Sequence, residues 1–199
     1  MLINRLGLAL LFILTLVSCK KHLSPEEYVS WVKDKEHGLV RAKVVGDVKF
    51  EAMYKPVDYA LVEQFKDSLG HPQAVERRRQ DLINMVYIDL ELSMKEGDVI
   101  ESAASSVEEV QQVMYYYSFD FAKDLTLTTT TDTATCELFH FMRTYRVGNK
   151  RKFLLGFPKR KSFEKEDLTL NIDSDLLGVG NVKITYNKED INNLPVLKK

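Results

Sequence analysis

The sequence predicts an α+β fold: one domain with a mainly antiparallel β-sheet and with helices concentrated in the first 120 residues. Three patterns support this prediction. Helix-start signatures occur at Ser24 and Ser106, both in the first 120 residues. Apolar and polar residues alternate from Val86 to Met94, which is typical of an antiparallel strand with one face in water. Beyond residue 120, short alternating runs separated by turn residues predominate.

The first helix is predicted from the stretch "SPEEYVSWV" at residues 24–32. Ser24 can cap the helix, the proline after it fits the first helical position, and Glu27 completes a capping box. Gly38 is placed to end this helix. Alternation on both sides of Gly46-Asp47 then predicts a hairpin.

Three more helices are expected before residue 120. One opens at Pro56, where apolar residues recur at helical spacing, and ends near Gly70. The polar stretch "QAVERRRQDLINM" at residues 73–85 is the next. A capping box formed by Ser106 and Glu109 opens the last of the three.

The second half is predicted to be mostly β, followed by a short helical turn near residues 189–193 that stops at Pro195. The candidate strands are "SFDFAKDLTLTT" (118–129), "ATCELFHFMRTYRV" (134–147), "KFLLGF" (152–157), "DLTLNI" (167–172) and "NVKITY" (181–186).

The chain begins with a short apolar segment that follows one positive charge, Arg5. Its twelve residues, 6–17, fall within the roughly 7–15 residues of a signal-peptide core and short of the ~20 that span a bilayer. The next residues, Leu16-Val17-Ser18-Cys19, resemble the lipobox of bacterial lipoproteins. This resemblance implies cleavage between Ser18 and Cys19 and a thioether-linked diacylglycerol on Cys19. An uncleaved apolar anchor, or a secreted protein with a chance cysteine, is the alternative.

The predicted organisation is therefore a signal peptide at 1–18, a lipidated tether at 19–23 and a single domain at 24–199. Removing residues 1–18 removes only Arg5 among the charged residues, which leaves 27 basic and 29 acidic residues and a net charge of −2. That balance argues against a nucleic-acid partner. Cys136 is the one cysteine left after lipidation, so no disulfide is expected within the domain.

No catalytic, cofactor or metal site is predicted. The four histidines lack metal-ligand spacing, and no zinc-protease, paired-cysteine, P-loop or nucleophile-elbow motif occurs. Cys136 and His140 would share one face of a strand, but about 13 Å apart by strand rise. Nucleophile and base must lie within hydrogen-bond reach. We therefore interpret them as a buried free thiol and a sheet histidine.

The densest aromatic run is "YYYSFDF" at residues 115–121, and its three tyrosines, Tyr115, Tyr116 and Tyr117, are the candidate contact with a partner, since surface aromatic residues often anchor partners. The alternative is that these tyrosines fill the core where a helix passes into a strand. The threonine-rich run at 126–135 is interpreted as a hairpin, and the basic clusters at 77–79 and 159–161 as solvated surface.

The stretch 24–32 behind Cys19 is similar to that of lipoproteins with no assigned activity, so three functional classes remain open. The first is a non-catalytic binding or assembly module of a bacterial envelope, with an envelope protein as its partner. The second is a periplasmic inhibitor or immunity-type lipoprotein, and the third is a cell-wall or glycan hydrolase. By analogy with lipoprotein sorting, Lys20-Lys21-His22 lacks the aspartate of inner-membrane retention, which favours the outer membrane, facing the periplasm.

Replacing Cys19 tests the anchor. We expect Cys19→Ser to remove the mature membrane-bound form and to leave the protein either soluble or uncleaved, because no thioether can form on serine. Fractionation and immunoblotting measure the shift. Membrane association unchanged from that of the native chain would contradict the lipoprotein prediction.

Overall fold

The computed structural model describes residues 21–65, 72–142 and 149–198. The α-helices in this part are α1 (Pro25–Lys33), α2 (Val57–Phe65), α3 (Pro72–Leu82), α4 (Val107–Tyr115) and α5 (Lys188–Asn192). The strands are β1 (His22–Leu23), β2 (Val40–Val45), β3 (Val48–Lys55), β4 (Met85–Met94), β5 (Leu125–Thr128), β6 (Thr133–Thr135), β7 (Leu138–Met142), β8 (Lys150–Pro158), β9 (Leu168–Ile172), β10 (Val182–Tyr186) and β11 (Val196–Leu197).

The strands form two main antiparallel sheets. The large sheet has the order β2-β3-β4-β8-β7, and the small sheet has the order β10-β9-β5-β6. A short parallel pair, β1 with β11, joins the two ends of the described chain. The predicted α+β class is confirmed, and the helices do lie mostly in the first 120 residues.

The two sheets share one apolar core. Side chains alternate between the two faces of each strand, so each strand buries one row of them. In the large sheet these rows come from β3, β4 and β8, and in the small sheet from β5, β9 and β10. Phe50, Ile88, Phe153, Leu170 and Tyr186 are fully buried members of this core. Each such side chain contributes about 1.5–3 kcal/mol through its burial, so the core dominates the stability of the fold.

The outer face of the large sheet is only partly covered, by α1, α2 and α3. The predicted alternation of β4 is confirmed except at Tyr87. Its place in the alternating run, next to Val86, predicts the wet face, but it is buried with Leu61 and Leu82. The reason is that α2 and α3 bring their apolar sides onto this end of the sheet. The rest of the face stays open and carries charged residues.

The predicted start of α1 is confirmed. The backbone N–H of Ser24 donates to the Glu27 carboxylate (2.8 Å), and the Glu27 N–H donates to the Ser24 hydroxyl (3.4 Å). The helix ends earlier than predicted, at Lys33, and Gly38 (φ +74°) instead closes the following 3₁₀ turn, Lys35–His37. The hairpin at Gly46-Asp47 is confirmed as the β2–β3 turn. The predicted end of α2 near Gly70 lies outside the described residues.

Of the two hydrogen bonds of the capping box predicted at Ser106, one is present. The Ser106 hydroxyl accepts from the Glu109 N–H at 3.2 Å, as predicted. The Glu109 carboxylate, however, accepts from the N–H of Ser105 and not from that of Ser106. The helix α4 that follows is confirmed.

Two predicted strands in the second half are wrong in extent. Residues 118–124 belong to a π-helical turn (Tyr116–Asp120) and a 3₁₀ turn (Phe121–Asp124), and only β5 is extended. Helical geometry brings the rings of Tyr117 and Phe121 to 5.2 Å from each other, whereas in a strand four residues span about 13 Å. Residues 134–142 form two strands, β6 and β7, because Cys136 and Glu137 carry the chain from one sheet to the other.

A substitution in the core tests this packing. The Phe153 ring is fully buried, so we expect Phe153→Ala to lower the free energy of unfolding by about 3–5 kcal/mol. Phe119→Ala, at a position that is 60% exposed, is the matched control and should change it by no more than about 0.5 kcal/mol. Denaturant titration measures both. Equal losses would contradict the assignment of Phe153 to the core.

Candidate partner-binding surface

Two aromatic side chains protrude from the molecule next to each other. Tyr115 ends α4, Phe119 lies in the π-helical turn, and their ring centroids are 4.9 Å apart. Each is 60% exposed, although both are large and apolar enough to be expected inside. We call this pair the aromatic ridge. Exposed aromatic side chains of this kind often anchor a protein partner.

Buried neighbours hold the ridge in place. Tyr117 and Phe121 alternate with the ridge residues along the chain, and both pack into the core. The Tyr116 hydroxyl donates to the Asp124 carboxylate and is hydrogen-bonded to Ser174. Burial, and then the bond to Asp124, raises the pKa of Tyr116, so this phenol stays protonated at physiological pH. The ridge is therefore preorganised.

A groove of about 340 Å³ separates the ridge from the edge strand β7. Ser118 and Phe119 line one side, and Phe139, His140 and Phe141 line the other. Consecutive side chains of a strand point to opposite faces. A groove that touches three consecutive residues must therefore run along the edge of the strand and meet its backbone.

The three tyrosines predicted as partner contacts have different environments. Tyr115 is exposed, Tyr116 is half-buried, and Tyr117 is 1% exposed and belongs to the core. Tyr115 therefore presents most of its surface to a partner, Tyr116 presents part of it, and Tyr117 presents almost none. Sequence reasoning missed Phe119 and the edge of β7. The spacing of four residues between Tyr115 and Phe119 was the available signal, because it places two side chains on one helical face.

Cys136 and His140 do not form a nucleophile and a base. Cys136 lies before β7, is half-buried, and its Sγ donates to the carbonyl of Leu138 at 3.2 Å. Burial raises the pKa of the Cys136 thiol to about 11, so it is protonated at neutral pH. His140 is exposed on β7. The predicted lipidation and cleavage residues, Cys19 and Ser18, lie outside the described residues.

A second concavity, of about 480 Å³, lies on the open outer face of the large sheet. At its centre the Lys55 ammonium donates to Glu63 (2.7 Å) and to Asp89 (3.1 Å). Burial raises the pKa of Asp89 above its ordinary value despite the nearby lysine. Burial lowers the pKa of Lys55, but its bond to Glu63 and the charge of Asp89 outweigh this, so the net shift is upward.

The other two carboxylates of this cleft are also paired. Glu51 accepts from Lys35 and Lys49, and Glu91 is paired with lysines 150 and 152. Each of the four carboxylates that line the cleft thus has a lysine partner. The Lys55–Glu63 pair links α2 to the sheet, and the Lys55–Asp89 and Glu91 pairs link neighbouring strands of the sheet.

Within residues 21–65, 72–142 and 149–198, no group of three or more histidine, cysteine or acidic side chains is arranged to hold a metal ion. In the same ranges, no helix has both the length and the apolar character needed to cross a bilayer. Comparison with protein-family models, with curated proteins and with solved structures finds no match to this chain. Its function is therefore inferred from its residues and their geometry.

The raised pKa of Cys136 predicts slow alkylation. At pH 8 we expect iodoacetamide to modify Cys136 in the folded protein at least about tenfold more slowly than in urea, where the thiol pKa returns to about 8.5. The folded-state rate should rise up to about pH 11. Mass spectrometry after timed quenching measures both rates. Equal rates in the two states would show that the thiol is not held protonated.

Proposed function

We propose that the protein is a lipid-anchored, non-catalytic binding module of a bacterial cell envelope. Cys19 holds it at the outer membrane, on the periplasmic side, and the aromatic ridge docks an envelope protein. The observation that carries this proposal is the exposed pair Tyr115 and Phe119, fixed beside an open groove.

The chemistry of the ridge favours a protein partner. Tyrosine and phenylalanine are enriched at the centres of protein interfaces, where they add large contact areas with few rotatable bonds. Because the ridge is already fixed by Tyr117 and Phe121, docking would cost little conformational entropy. The groove beside it presents aromatic rings, one imidazole and one hydroxyl, and no carboxylate of the described residues lines it. That composition suits docking better than hydrolysis.

The folded domain begins only a few residues after Cys19, so the tether between a lipid on Cys19 and the domain would be short. β1 begins at His22, three residues after Cys19, and the carbonyl of Lys21 already accepts a hydrogen bond from the Val196 N–H (2.9 Å). Three residues span at most about 11 Å. A lipid on Cys19 would thus keep the domain close to the bilayer surface and concentrate it where an envelope partner is located.

Co-purification tests the proposal. We expect a near-stoichiometric envelope protein to accompany the native lipidated protein when it is extracted in mild detergent by an affinity tag. Replacing both Tyr115 and Phe119 by alanine should abolish the association, because hot-spot aromatics cost about 2 kcal/mol or more each on truncation.

The control is Val44→Ala, on β2 at the opposite edge of the large sheet, where the side chain is also exposed (65%). It should retain the partner fully. A native protein that purifies alone, or a partner that both variants retain equally, would overturn docking through the ridge.

A further inference from the structure

We propose that the free edge of β7 binds an extended segment of the partner as an added strand, with one apolar side chain of that segment held in the groove under the aromatic ridge. The inference rests on the proposed function for the identity of the site. It adds the chemistry of the partner: an exposed, extended polypeptide segment that is apolar and carries a basic residue.

The edges of the two sheets differ in how they are protected. An exposed strand edge invites pairing with other chains, and natural sheets block it with charges, with very short strands or with a covering element. The edge strand β2 carries Arg41 and Lys43, and Arg41 is bonded to Asp190 at 2.8 Å. In the small sheet, β10 carries Lys183 and lies beside β2, while β6 is only three residues long.

Within the described residues β7 lacks the first two of these protections, and the π-helical turn lies beside it across the groove. Its sequence is "LFHFM", five residues long, with no lysine, arginine, acidic residue or proline. It pairs with β8 on one side, and no described strand pairs with it on the other. Its sequence therefore leaves the outward N–H and C=O groups unprotected and ready to pair with another extended chain.

The groove lies where an added strand would run. It contacts Phe139, His140 and Phe141 in succession, so it follows the backbone of β7 along its edge. Phe119 forms its far wall. A strand added at the usual spacing of about 4.7–4.9 Å from β7 would run along this edge, with alternate side chains next to Phe119. Main-chain hydrogen bonds would supply affinity, and the groove would select the side chain.

A single extended segment fits this edge better than a second copy of the chain. In a symmetric pair of β7 strands, each copy would bring its own Tyr115 and Phe119 to the shared edge. The shared edge would then have to hold two ridges beside the paired strands, whereas a segment that carries no ridge meets only one.

The charge at the edge indicates a basic residue in the bound segment. Glu137, directly before β7, is exposed, and no described residue forms an ion pair with it. The one acidic residue of the π-helical turn Tyr116–Asp120 is Asp120, and it is already paired with Lys123. A lysine or arginine at one end of the segment would therefore find Glu137 available, and would favour one direction of binding.

Peptide selection combined with hydrogen exchange tests the inference. A phage library of random seven-residue linear peptides is selected against the native lipidated protein in detergent micelles, and the best peptide is synthesised as the probe. We expect alternating apolar or β-branched residues with a basic end. On binding, amides within residues 138–142 should become protected, because outward N–H groups gain a partner.

Two pairs of variants separate the parts of the inference. Phe119→Ala should weaken the peptide by roughly tenfold, whereas Val44→Ala should leave its affinity unchanged. Glu137→Lys should weaken a basic peptide, whereas Glu108→Lys, at another exposed acidic position, should not. Circular dichroism and unchanged thermal unfolding verify that Phe119→Ala is folded.

The opposite results would overturn the inference. One such result is that no peptide is selected, and another is that the bound peptide protects amides outside β7. A third is that the β7 amides of the free protein become more protected as its concentration rises, which would indicate pairing with a second copy. A native partner that depends on the ridge but leaves β7 amides unprotected would refute strand addition and keep the proposed function. If peptides protect the β7 amides but the native protein has no partner, strand addition would be kept and the proposed function would be refuted.

Discussion

The packing of four aromatic rings around Phe153 is the interaction on which the candidate site depends. The rings of Tyr117, Phe121, Phe139 and Phe141 lie with centroids 5.0–5.8 Å from that of Phe153. Two of them come from the helical turns that follow α4 and two from β7. The same cluster therefore fixes the edge strand and the segment that faces it, and so determines the groove between them.

The π-helical turn has a structural consequence in this setting. Tyr117 and Phe121 face the core, while Tyr115 and Phe119, on the same short segment, face solvent. A turn widened by one residue is rare in proteins and occurs most often near functional sites. Here it lies directly at the groove. The core contacts of the inward pair rigidify the outward pair, which is the condition for a preorganised docking surface.

The charged residues on the outer face of the large sheet form ion pairs with one another. Glu51 and Glu91 lie directly opposite each other in the register of β3 and β4, a placement that is destabilising for like charges. Lysines on both sides of this pair, four in all, offset the repulsion. Lys55 is enclosed by Glu63 and Asp89 in the same way. The carboxylates that line the charged cleft are all ion-paired, whereas the groove at β7 is lined by aromatic rings, one imidazole and one hydroxyl.

Local structure follows from the nature and spacing of neighbouring residues, as it does for the capping box at Ser24, the hairpin at Gly46, the alternation of β4 and the α+β class. The sequence also supplied the lipobox at Cys19, which stays a prediction. Which aromatic residues reach solvent depends on tertiary packing. The sequence of the run 115–121 is compatible with burial or with exposure, and contacts with distant residues select between the two. Tertiary packing likewise divided residues 134–142 between two sheets and left β7 at an edge. Strand order depends on contacts between residues far apart in the chain, and local periodicity carries no information about them.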